Sequence, residues 1–151
     1  MNAVLMAFLH HLAAFSVVAT LAVEVALFRL PLSLAQARRL QVTDLLFGIA
    51  AAAVLTVGLL RVVYFEKGAH YYWHDTYFIL KFSAFIVAGL ISIYPTATFL
   101  SWGSAIKAGV VPTIAPERYR RIRLCLMLEL TAIVVILLCA PLMARGFGTF
   151  G

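Results

Sequence analysis

The sequence predicts an all-α fold, a four-helix transmembrane bundle, and two observations carry that expectation. Hydrophobic residues make up 64% of the 151-residue chain and charged residues only 12%. That balance leaves a soluble domain with no polar surface to offer water. The apolar residues are also gathered into four long runs, separated by short segments that hold most of the charge and three of the five prolines. Each run exceeds the ~20 residues needed to cross the hydrocarbon core. Within lipid a segment must satisfy its own backbone groups, so each run is expected to be a helix. Residues 1–151 read as a single integral membrane domain.

The first helix is expected at residues 3–28. No basic segment precedes it and no small-residue cleavage site follows, so it reads as a retained span rather than a cleaved signal peptide. The second is expected at residues 42–64 and the third at 76–101. The fourth is placed at 118–144, after an Ala115, Pro116, Glu117 turn that suits a helix start. The segment between the second and third holds Tyr71, Tyr72 and Trp73, which fits an aromatic belt at the membrane surface. His70 and His74 are four apart there, but no third metal ligand accompanies them. The glycine-rich C-terminal residues 146–151 read as a frayed tail.

Loop charge sets the expected orientation. Arg29, Arg38 and Arg39 follow the first run, and Lys107, Arg118, Arg120, Arg121 and Arg123 precede or open the fourth. The opposite side has only Arg61, Lys67 and Arg145. Basic loops stay in the cytoplasm, so both termini are expected in the periplasm of a bacterial inner membrane. The net charge of +6 is therefore read as topology, with the Arg118 to Arg123 run resting on anionic headgroups, and no nucleic-acid partner is implied. Cys125 and Cys139 share the fourth run, roughly 21 Å apart at about 1.5 Å per residue. They cannot bridge within one chain and read as buried free thiols.

Ionisable residues inside apolar runs are costly and mark functional positions. The chain has His10 and His11 in the first run, Arg61 in the second, Lys81 in the third and Glu129 in the fourth. At about 100° per residue, His10 shares a stripe with Ala14, Val17 and Glu24, whereas His11 points away from it. Lys81 shares one with Ala84, Ala88 and Ser92, Glu129 with Cys125, Ala132 and Ala140, and Arg61 with Gly58, Val54 and Ala50. Small residues on a stripe permit close helix approach. Each ionisable group thus sits on the packing face of its helix, which is expected to assemble one interior polar site from His10, Lys81, Arg61 and Glu129, with His11 more peripheral. Glu129 is expected to meet a basic or imidazole side chain. A histidine facing an alanine-lined space suits an axial haem ligand, and it equally suits a structural hydrogen bond. Lys81 has three readings: an interfacial anchor, a partner for a propionate, or an iron ligand through its unprotonated amine.

Three segments carry a family resemblance: Leu9, His10, His11 and Leu12; the stretch from Gly58 through Arg61, Tyr64 and Lys67 to Gly68; and Leu80, Lys81 and Phe82. With the arginine-rich start of the fourth helix, they resemble a bacterial family of small four-helix membrane proteins of unknown function, over nearly the whole chain. The layout is also similar, more remotely, to the small haem-binding membrane protoporphyrinogen oxidase of bacteria. That resemblance implies haem b at His10, with Lys81 serving haem binding or activity. The chain departs from that second family in its paired histidines and in Ala13, Ala14, Phe15 and Ser16, where the family has an aromatic and glycine-rich run. A shared four-helix layout does not itself transfer an activity. The expectation is a haem b membrane protein in redox chemistry or electron transfer. The competing readings are a non-enzymatic subunit of a larger membrane complex or a homo-oligomer, and a pathway for a small solute or protons.

Overall fold

The computed structural model describes residues 2–65 and 74–145. The aromatic segment with His70 and the C-terminal tail lie outside the described residues. The chain forms α1 (Asn2–Leu27), α2 (Leu34–Leu60), α3 (Thr76–Ser101), the short α4 (Gly103–Lys107) and α5 (Pro116–Ala144). A π-helical turn, Arg61–Phe65, continues α2. There is no β-strand among the described residues. The all-α four-helix bundle is thus as expected.

Among the described residues, four helices are long and apolar enough to cross a membrane. Little of each span is covered by the rest of the protein. Large apolar side chains such as Phe15, Ile49, Leu90 and Leu138 stand on the outside, a surface that lipid solvates and water does not. Hydroxyls inside the spans are silenced locally: Ser16 donates to the Leu12 carbonyl at 2.9 Å and Thr131 to the Met127 carbonyl at 2.8 Å. Such back-bonding satisfies a polar group without leaving its helix.

The start of α2 differs from expectation. It begins at Leu34, not residue 42, so Arg38 and Arg39 ride on the first turns of a helix and not in a loop. Ser33 is the cause. Its hydroxyl accepts from the Gln36 backbone N–H at 3.2 Å, and its own N–H donates to Gln36 Oε1 at 2.9 Å. This reciprocal cap satisfies two of the free donors that any helix start leaves. At the start of α3, Asp75 accepts from the N–H groups of Tyr77 and Phe78, at 2.8 and 3.1 Å. Proline opens α5 at a position where its missing N–H costs nothing.

The helices pack most extensively as two pairs, α1 with α2 and α3 with α5. The pairs are tied together at the arginine-rich end. There Phe28 stacks on Tyr119 with centroids 5.0 Å apart, and Phe99 packs against Phe28 and Trp102. Each such pair adds about 1 kcal/mol beyond simple burial. Gln41 donates to the Phe99 carbonyl at 2.6 Å, and Thr96 Oγ1 donates to Asp44 Oδ1 at 2.7 Å, both from one pair to the other. Toward the termini the pairs separate, and a cavity lies between them.

Candidate ligand cavity

The cavity encloses about 570 Å³. One wall comes from α1 and α2 and their π-helical extension: His10, His11, Ala14, Val54, Gly58 and Arg61. The other comes from α3 and α5: Phe78, Lys81, Phe82, Phe85, Ile136 and Ala140. Four of the five residues expected to share a site, His10, His11, Arg61 and Lys81, therefore do line one space. The small-residue stripes Ala14, Gly58 and Ala140 are what leave room for it.

His10 is half-buried, and its Nδ1 is fully buried with no hydrogen-bond partner. Its ring rests on α2 at Gly58. A Cβ at that glycine would stand 3.0 Å from Cε1 and 3.4 Å from Nδ1 of His10. Any larger residue at 58 would push the ring away. The Val54 carbonyl lies beside the same ring edge. His11 behaves differently: it is exposed, and its Nδ1 donates to the Ala7 carbonyl at 2.6 Å. The two rings meet edge to face with centroids 6.3 Å apart. His11 is thus anchored to its own helix at the cavity rim, and His10 is the histidine that faces the other helices.

Among the described residues, the charged side chains that line this space are Arg61 and Lys81. Lys81 and Arg61 both act electrostatically on His10, and Arg61 acts on Lys81. Asp75, buried at the start of α3, is the nearby acidic group that acts on Lys81. Sequence reasoning passed over Asp75. Its position one residue before an apolar run is an N-cap signal that would have found it.

A family described as predicted membrane protein (DUF2214) matches residues 2–148. The chain belongs to that family. No curated protein and no solved structure matches it. The expected resemblance to a membrane family of unknown function is met, and the chain is a multi-pass membrane protein in contact with the bilayer.

In this DUF2214 protein Glu129 does not join the cavity. It is buried, with 1% exposure, and the charged group that acts on it is Asp44 on α2. Glu24 on α1, equally buried, is acted on by both Asp44 and Glu129. Among the described residues, no basic or imidazole group acts on Glu129; the charged group that does is the Asp44 carboxylate. The cause is depth. Glu129 is buried as expected, but it lies seven residues before Ile136 of the cavity wall, about 10 Å along α5 from the level of His10 and Lys81. Among the described residues no three His, Cys, Asp or Glu side chains are arranged to hold a metal ion. Cys125 and Cys139 are both free, as the spacing required.

Proposed function

We propose that this protein binds haem b in the cavity between its helix pairs, with His10 as axial ligand, and serves redox chemistry or electron transfer in the membrane. The observation that carries this reading is the placement of His10. One edge of its ring is packed on Gly58, where an added Cβ would force the ring to shift, and its Nδ1 is buried. A ring held by one edge presents its other nitrogen in a fixed direction, which is what an iron ligand needs. The cavity volume of about 570 Å³ falls in the range of cofactor sites, roughly 300–1,000 Å³.

The remaining lining supports the same ligand. Phe78, Phe82 and Phe85 offer an aromatic wall to a flat macrocycle. Arg61 and Lys81 supply the cations that two propionates require, and a guanidinium pairs with a carboxylate through two parallel hydrogen bonds. Bound haem would supply one-electron chemistry at iron. The chain's own residues would fix its position, neutralise its carboxylates and keep water from its face. The remote resemblance to the haem-binding protoporphyrinogen oxidase, on His10 and Lys81, points the same way.

The test is absorbance of the purified protein from haem-replete cells. A Soret band is expected in the wild type, lost in His10→Ala, restored in that variant by free imidazole, and kept in His11→Ala. Colourless wild-type protein that takes up no added haem would overturn the reading.

A further inference from the structure

The half of the bundle away from the cavity contains a second set of ionisable groups that the haem reading leaves unused. Glu24, Asp44 and Glu129 come from α1, α2 and α5, and their exposures are 1%, 5% and 1%. Thr96 of α3 completes the group by donating to Asp44 Oδ1 at 2.7 Å. Every long helix thus contributes one oxygen-bearing side chain. A second observation is independent of that clustering: Glu24 and Glu129 each keep one oxygen, Oε1, fully buried with no hydrogen-bond partner. Buried carboxylate oxygens are ordinarily paired, and an orphan asks for a ligand.

We propose that these three carboxylates form a proton-exchange site inside the membrane. The electrostatic environment selects the proton. Among the described residues, Asp44 and Glu129 act on Glu24, Asp44 acts on Glu129, Cys125 lies one turn from Glu129 on the same helix, and no Lys, Arg or His acts on either glutamate. Several negative charges in a medium of low dielectric, without a cation, are too costly to stand together. A metal ion would need three or more oxygens converging on one point, and these side chains do not converge in that way. A proton needs no such convergence. Transferred from water to a carboxylate oxygen, it removes one buried charge.

The site lies beneath the aromatic layer of Phe28, Phe99, Trp102 and Tyr119, with Glu24 only one turn from the end of α1. None of the three carboxylates lines the cavity. The proposal does not depend on what the cavity binds.

Infrared difference spectroscopy of the intact protein in lipid tests it without any variant. At neutral pH the wild type should show the C=O stretch of protonated carboxylic acid, shifted by D₂O, and the band should bleach as pH is raised. Glu24→Gln and Glu129→Gln should each diminish the band and lower by one or less the protons released per chain. Absence of a protonated-carboxyl band at neutral pH would overturn the proposal. So would a band that survives unchanged in both of these variants and in Asp44→Asn.

Discussion

Gly58 and His10 are in contact across the α1–α2 interface, and the glycine is the reason the ring lies where it does. A Cβ there would approach Cε1 to 3.0 Å, which forces the ring to move by a few tenths of an ångström. Gly58→Ala should therefore weaken haem retention by up to about tenfold, equivalent to ~1.4 kcal/mol. Helix stability itself should not fall, since alanine is the better helix former by about 0.5–1 kcal/mol. Gly48 is the control. It lies on the same helix with nothing within 4 Å of an added Cβ. Gly48→Ala should leave haem absorbance per protein unchanged.

The Thr96 to Asp44 hydrogen bond joins the two helix pairs. Thr96→Val keeps the shape and removes the donor, and it leaves Asp44 Oδ1 without its partner. The expected cost is about 1 kcal/mol, given what interhelical hydrogen bonds contribute within membranes. Thr96→Ser should retain most of the stability. Unfolding in mixed micelles with increasing dodecyl sulfate would measure both.

Ser33 caps α2 outside the apolar part of the span. Ser33→Ala removes one half of the reciprocal cap and should cost about 1 kcal/mol. The loss should be local. Hydrogen exchange at the first turn of α2 should accelerate, while protection around Phe47 and Ala50 in the core remains.

By the loop charges the arginine-rich end is expected in the cytoplasm. A single cysteine at Ser104, with Cys125 and Cys139 replaced by alanine, should react with a membrane-impermeant maleimide only after the membrane is opened. Ser104 is exposed on α4, so access is not limited by the fold. Labelling in intact cells would reverse the assigned topology.

The four helices were legible because lipid demands long uninterrupted apolar segments, and the faces of His10, Arg61 and Lys81 were legible because helical periodicity fixes azimuth. What periodicity cannot give is the partner. Glu129 and His10 both point inward, yet they lie at different depths and meet different neighbours. The first turns of α2 were illegible to hydropathy because residues 34–41 are largely polar or small; the serine and glutamine three apart were the signal that marks them as helix. Asp44 was missed for the same reason, since the apolar run was drawn to begin only two residues before it. Asp75 escaped because it sits at the edge of a span, where a carboxylate looks like an ordinary solvated residue.

The two helix pairs are fastened at one end and parted at the other, and so they form a lever with its fulcrum near Thr96 and Asp44. Gly58 lies about 21 Å along α2 from Asp44. A rotation of about 5° between the pairs widens the far end by roughly 2 Å, with almost no displacement at the fulcrum. Such a rotation would change the width of the cavity without any change of side-chain rotamer. Pro95, buried in α3 next to Thr96, interrupts the helical hydrogen bonding at that pivot. A substitution there would alter the aperture of a cavity it does not touch.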